Sequence, residues 1–285
     1  MPRFVARVLY AVTAVILTGV IWRWEPSTSS PTTTSTFVVT TTLATTTTAL
    51  SAPVTTAIST TLPPLRDGDL TGFSVTIDPG HNGGNATRPD VINQLVPDGV
   101  GMKACDTTGT ATTDGYPESA FTFTFASELT LILRQRGAVV TLTRSDDHSI
   151  GPCVNARADI GNSSDVAVSL HGDGAPMSGS GFAILTPVGR GPSAQMTKEA
   201  NRLAGITRHQ LVQRGMTPSN YLGRDGIQPR SDLAGLNLST VPKVMIECGN
   251  MKNPDDALHL TSSEWRQNMA AGIAEAISVF LRSRS

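Results

Sequence analysis

Short β-branched runs alternate with longer stretches of helical spacing from residue 73 to residue 281. Phe73–Asp78 lies between Gly72 and Pro79 and reads as a strand ending in a tight Pro-Gly turn. Ala138–Thr143, Asp165–Leu170, Phe182–Leu185 and Lys243–Glu247 also read as strands. Glu118–Gln135 puts Phe121, Phe125, Leu129, Ile132 and Leu133 on one helical face, with Pro117 before it and Gly137 after it. Asn155–Ile160 reads as a short helix and Ser193–Gln213 as a long one. Trp265–Leu281 is the last, with Met269, Ile273, Ile277 and Phe280 aligned. Strands and helices in this alternation predict an α/β domain whose central sheet is covered by helices on both faces. Residues 82–116 are rich in Gly, Asn, Asp, Thr and Pro and predict a long loop or hairpin excursion.

The first 65 residues differ in kind. Within 1–24, Arg3 and Arg7 precede an apolar run, Val8 to Trp22, which Arg23 and Glu25 close. This is the pattern of a signal peptide or an N-terminal membrane anchor. Residues 25–65 form a Thr/Ser/Pro-rich stretch, with 16 Thr between 25 and 64. It has too few large side chains for a core and reads as a disordered linker. The folded domain is therefore expected over 66–285. Such a chain is exported, to the periplasm or cell envelope, either secreted after cleavage or anchored and facing outward. Its N-terminal segment then engages the export machinery and, if uncleaved, the membrane. A net charge of -1 without a basic, aromatic-interleaved patch argues against nucleic acid. No coiled-coil seam is evident, which predicts a monomer.

An exported chain permits disulfides. Cys105 and Cys153 both sit in connecting segments where two loops can meet, so they are the expected pair. Cys248 ends an apolar strand and is expected to be buried and free. The three lack the close spacing of a thiolate metal site, and no histidine neighbours Cys248 in sequence.

The chemistry is carried by polar residues in apolar surroundings. His81 follows Asp78-Pro79-Gly80, His171 follows Ser169-Leu170, and Glu247 follows Val244-Met245-Ile246. All three are expected at or just beyond strand ends, where ligands gather in α/β sheets. Glu118 opens the helix after Pro117. Two histidines and a carboxylate form a donor set suited to catalytic zinc, with one position left open. Glu247 is then the candidate base. Two plainer readings stand beside these: Glu118 as a carboxylate favoured only by the helix dipole, and Glu247 as a partner of Arg230 or Lys243. Asp78 and Asp173 either orient the histidines through hydrogen bonds or cap turns. His148, His209 and His259 lie in polar or helical contexts away from this pattern.

Taken in order, Asp78-Pro79-Gly80-His81, Glu118, Ser169-Leu170-His171 and Glu247-Cys248-Gly249-Asn250 resemble the zinc-dependent N-acetylmuramoyl-L-alanine amidases of bacterial cell walls. The actinobacterial, mycobacterial-type branch is the most similar, and the resemblance spans about 72–283. It includes the helix Asn155-Ala156-Arg157-Ala158-Asp159-Ile160. It implies a mixed six-stranded sheet flanked by helices, one zinc per catalytic domain held by His81, Glu118 and His171, and Glu247 as the catalytic acid and base. The implied substrate is peptidoglycan or soluble muropeptides, cut between N-acetylmuramic acid and L-alanine. The chain departs from the broader pattern at Glu118-Ser119-Ala120-Phe121 and at His81-Asn82-Gly83-Gly84. Two other classes compete. A zinc carboxypeptidase acting on stem peptides would need a cation such as Arg224 or Arg230 to clamp a terminal carboxylate. A non-catalytic wall-binding module would have no use for the His/Glu/His set.

Overall fold

The computed structural model describes residues 68–189 and 192–284. The expected export segment 1–24 and linker 25–65 lie outside the described residues. Strand β1 (Ser74–Pro79) leads into an excursion that holds α1 (Pro89–Ile92) and a hairpin of β2 (Leu95–Pro97) and β3 (Met102–Ala104). Helix α2 (Glu118–Gln135), β4 (Val139–Leu142), α3 (Val154–Gly161), β5 (Val166–Asp173) and β6 (Ala183–Pro187) follow. The chain continues through α4 (Ala194–Gln213), β7 (Ile227–Arg230), α5 (Ala234–Asn237), β8 (Lys243–Asn250), α6 (Pro254–Thr261) and α7 (Ser263–Arg282).

Six strands form one sheet in the order β4-β1-β5-β8-β6-β7. The sheet is mixed. All neighbours are parallel except β8 and β6, which are antiparallel. The reversal has a local cause. A parallel return needs a crossover of a dozen or more residues, usually a helix, and no helix stands between β5 and β6.

Side-chain alternation gives the sheet two unlike faces. Val75, Ile77, Val166, Val168, Leu170, Val244 and Ile246 point to one side and pack in the main core with the phenylalanines of α2 and the apolar stripes of α4 and α7. The i, i+4 spacing of Phe121, Phe125, Leu129 and Leu133 buries that whole edge of α2. The alternate positions carry Thr76, Asp78, Ser169, His171, Lys243 and Glu247. Helices α3 and α5 lie over this second face, α3 against β1 and α5 against β6 and β8. A small apolar cluster of Ala183, Leu185 and Leu236 sits there too.

Around Asp78 the buried charge of the second face is paired. Asp78 Oδ1 accepts from Arg157 at 3.0 Å and Thr143 at 2.7 Å. Its Oδ2 accepts from Lys243 at 3.2 Å and Ser169 at 2.9 Å. Burial opposes the charge on Asp78, but Lys243 and Arg157 outweigh it and hold the carboxyl far below the usual carboxylate range. The Cys105–Cys153 disulfide is present and Cys248 is free and buried, both as expected.

Candidate metal centre

His81 stands two residues past β1 with a left-handed backbone, φ 60°. Glu118 is the first residue of α2. His171 is expected just past a strand end and Glu247 at one, yet both lie well within strands: β5 runs on to Asp173 and β8 to Asn250. These two strands are central and paired on both sides, so pairing continues through the polar residues. His171 and Glu247 are direct register partners.

Donor atoms of His81, Glu118 and His171 all lie within 4.8 Å of one another. His81 Nε2 is 3.3 Å from Glu118 Oε2, and His171 Nδ1 is 3.0 Å from Glu118 Oε1. The two rings meet edge to face, with centroids 5.0 Å apart. Backbone N–H groups pin the carboxylate from its other side: Thr110 donates to Oε2 at 3.0 Å and Gly172 to Oε1 at 3.1 Å. Two glycines leave the room this requires. A Cβ on Gly80 would come within 2.2 Å of the His171 ring, and one on Gly109 within 2.8 Å of Glu118 Oε2.

The electrostatics favour a cation. Burial disfavours charge on His81, but its contacts with Asp106 and Glu118 push its pKa up to about 10. Burial also opposes the charge on Glu118, and the hydrogen bonds from His171 and His81 overcome it, holding the carboxyl below its ordinary range. A carboxylate facing two imidazole nitrogens, with backbone donors behind it, suits a small divalent ion bound by nitrogen and oxygen.

Glu247 behaves differently. Burial pushes its carboxyl well above the ordinary value, and the charges of Glu118 and Asp173 push it further. Its Oε2 is buried and has no hydrogen-bond partner among the described residues. The plainer reading of Glu247 as an ion-pair partner is not realised, because Lys243 bonds Asp78 and Arg230 bonds Asp232 at 2.6 and 2.7 Å. A cavity of about 310 Å³ opens along the polar face from His81, His171 and Glu247 past Leu185, Leu233 and Met245.

Neither Asp78 nor Asp173 orients an imidazole. Alternation turns Asp78 into the polar face, where Arg157, Lys243, Thr143 and Ser169 occupy it. Asp173 accepts from the Tyr221 hydroxyl at 2.9 Å and from the Gly174 amide at 2.8 Å. The residue that holds His81 is Asp106. Its Oδ1 lies 3.2 Å from His81 Nδ1, and the Thr107 carbonyl lies 3.2 Å from the same nitrogen. Carboxylate and carbonyl both accept, so Nδ1 donates and Nε2 faces Glu118. Asn82, where the chain departs from the broader pattern, is buried and donates to Asp106 Oδ2 at 3.1 Å. Among the other histidines, His259 stacks on Trp265 with centroids 5.4 Å apart.

Residues 75–279 match the family model described as N-acetylmuramoyl-L-alanine amidase. The chain is 40% identical over 225 residues to N-acetylmuramoyl-L-alanine amidase Rv3717 of Mycobacterium tuberculosis, across 76% of this chain and 89% of that one. The structure of the amidase Ami1 from Mycobacterium smegmatis superposes with a TM-score of 0.71 at 41% identity, covering 75% of this chain and 99% of the other. AmiC2 of Nostoc punctiforme shares the fold at 21% identity and a TM-score of 0.56, covering 76% of this chain and 99% of its own.

Proposed function

The chain belongs to the N-acetylmuramoyl-L-alanine amidase family, and on that premise we propose that His81, Glu118 and His171 hold one zinc ion while Glu247 moves the proton of the reaction. The reaction is hydrolysis of the amide that joins N-acetylmuramic acid to L-alanine in peptidoglycan. The observation that carries the assignment of roles is the arrangement around Glu118. Two imidazole nitrogens converge on its carboxylate, and Glu247 stands beside His171 with a buried, unpartnered oxygen.

When bound, zinc lowers the pKa of water, polarises the scissile carbonyl and adds positive charge that favours the ionised form of Glu247. Glu247 accepts the proton of the attacking water through its carboxylate and returns it to the alanine nitrogen as the C–N bond breaks. One proton is taken and one delivered, so the carboxylate is regenerated. His81 keeps its Nδ1 proton throughout and donates it in hydrogen bonds to Asp106 and the Thr107 carbonyl. Backbone donors from Thr110 and Gly172 keep Glu118 from turning. The alternative stem-peptide carboxypeptidase is less well supported, because Arg230, one of its candidate carboxylate clamps, is already engaged by Asp232.

The test is Glu247→Gln. Zinc stoichiometry and muramyl-L-alanine cleavage are measured on the same folded sample. Zinc should stay at one per chain while turnover falls by about 10²–10⁴-fold. Full turnover with full zinc would remove Glu247 from the mechanism, and loss of zinc would make it a ligand. We assign residues 1–24 to export or anchoring and 25–65 to a tether, which places the enzyme outside the cytoplasmic membrane acting on wall or soluble muropeptides. Fractionation of cells producing the chain checks this, and a cytoplasmic protein would refute it.

A further inference from the structure

Arg157 lies in the first turns of α3 and is 3% exposed. Its guanidinium spans the backbone on both sides of Gly80. Nη1 donates to the Pro79 carbonyl at 2.7 Å and to Asp78 at 3.0 Å. Nη2 donates to the His81 carbonyl at 2.8 Å, to Asn82 Oδ1 at 2.9 Å and to Asp106 Oδ2 at 3.4 Å. Nε is fixed by the Pro152 carbonyl at 3.0 Å.

These contacts bear on the two degrees of freedom that place the His81 ring. The first is the backbone. With φ at 60°, His81 holds a conformation that an L-residue reaches at a steric cost. Arg157 donates to the carbonyl of this residue and to the carbonyl of Pro79 two residues earlier. The second is the ring. Asp106 uses Oδ2 toward Arg157 and Asn82, which leaves Oδ1 for His81 Nδ1. The segments bearing Asp106 and Arg157 are joined by the Cys105–Cys153 disulfide and by the Val154 amide donating to the Cys105 carbonyl at 2.8 Å.

We propose that Arg157 is the positioning residue of the metal centre: it fixes the backbone of His81 and, through Asp106, the ring nitrogen facing away from the ion, so that Nε2 is the one presented. This rests on the reading that His81, Glu118 and His171 hold zinc. The role depends on the planar fork of a guanidinium, whose two ends serve different acceptors. A lysine keeps the charge opposite Asp78 but has a single head and cannot reach both sets.

Zinc affinity is measured on the purified full chain by competition with a chromophoric chelator, alongside the unfolding midpoint of the metal-free protein. Arg157→Lys should weaken zinc binding by about 10–100-fold, the range seen when groups behind metal ligands are altered. A merely structural role would move the midpoint and leave the affinity of the folded protein alone. Arg266→Lys supplies that comparison: Arg266 is a buried arginine bonded to Glu128 and the Leu260 carbonyl, and it should lower the midpoint without changing affinity. Should Arg157→Lys fail to fold, Asp106→Asn decides. It keeps the side-chain volume, cuts the ionic line from Arg157 to the ring, and should weaken zinc binding in the same direction. Unchanged affinity in folded Arg157→Lys, or in Asp106→Asn where that variant must decide, overturns the proposal. If the unsubstituted chain does not bind zinc, the metal reading beneath it fails instead.

Discussion

Glu247, to which we assign the proton transfer, illustrates how a functional carboxylate can oppose stability. Its buried Oε2 lacks a partner, and Glu118 and Asp173 add like charge nearby. An acid whose folded pKa exceeds its unfolded value of about 4.3 loses stability as pH rises above that value. In the metal-free protein, Glu247→Gln should therefore raise the melting temperature at pH 7–8 by about 2–4 °C, which corresponds to roughly 1 kcal/mol in a domain of this size. The gain should vanish near pH 3, about one unit below the unfolded value, where the glutamate is essentially neutral in both states. A lower melting temperature at pH 7 would mean that the carboxylate is held by a stabilising partner and would refute this reading. His81, Glu118, His171 and Glu247 were legible in the sequence because each is a polar residue flanked by apolar or Gly/Pro context. Asp106 was not legible. It lies in a stretch crowded with Asp and Thr, and its approach to His81 depends on how residues 82–116 fold back. Its one signal was adjacency to Cys105, whose expected bridge to Cys153 draws that segment toward the site. Asp78 takes neither of its two expected roles, because sequence adjacency to His81 does not bring its side chain to the ring and its oxygens bond Arg157, Lys243, Thr143 and Ser169.

At the scale of elements, the buried pairs of β1 and the disulfide ahead of α3 make separate contributions. Asp78 has a depressed pKa, so its stabilisation is complete above the unfolded value of about 3.9 and is lost progressively as pH falls below it. Asp78→Asn leaves Arg157 and Lys243 without their shared carboxylate. It should cost about 3–5 kcal/mol in chemical denaturation at pH 7, and a loss below about 1 kcal/mol, the level of an exposed ion pair, would show that the face is solvated. The Cys105–Cys153 bond closes a separation of 48 residues. Loop entropy alone then predicts that Cys105→Ser with Cys153→Ser loses about 4 kcal/mol, or somewhat less where the unfolded chain keeps residual structure. The urea midpoint of that variant checks it. Helix α2 was read to its observed ends because Pro117 starts it and phenylalanines mark its buried edge. Strand β7 was missed: it has four residues, one of them Pro229, and Pro is tolerated only because the strand lies at the sheet edge. Helix α5 was missed as well, since four residues show too little period to register, and α6 was missed although Asn253 and Pro254 mark its start.

For the molecule as a whole, alternation in the sequence was enough to predict a sheet covered on both faces, but not the order of its strands. Order depends on which connections carry a helix and on contacts between distant segments: β5 lies between β1 and β8, far from both along the chain. The catalytic domain is expected to run as a monomer at micromolar concentration in sizing with light scattering, and a stable dimer would contradict that. The unlike faces of the sheet have a consequence for how such an enzyme can change over generations. On the side of α2, α4 and α7, positions such as Leu129 and Ile273 lie in the main apolar core, so exchanges there alter chiefly how firmly the chain holds together. On the other side, the same side chains serve both ends, and a change at Asp78 or Arg157 alters firmness and chemistry together. Drift and laboratory stabilisation therefore have one side of a single sheet open to them, while the other admits only coordinated replacements.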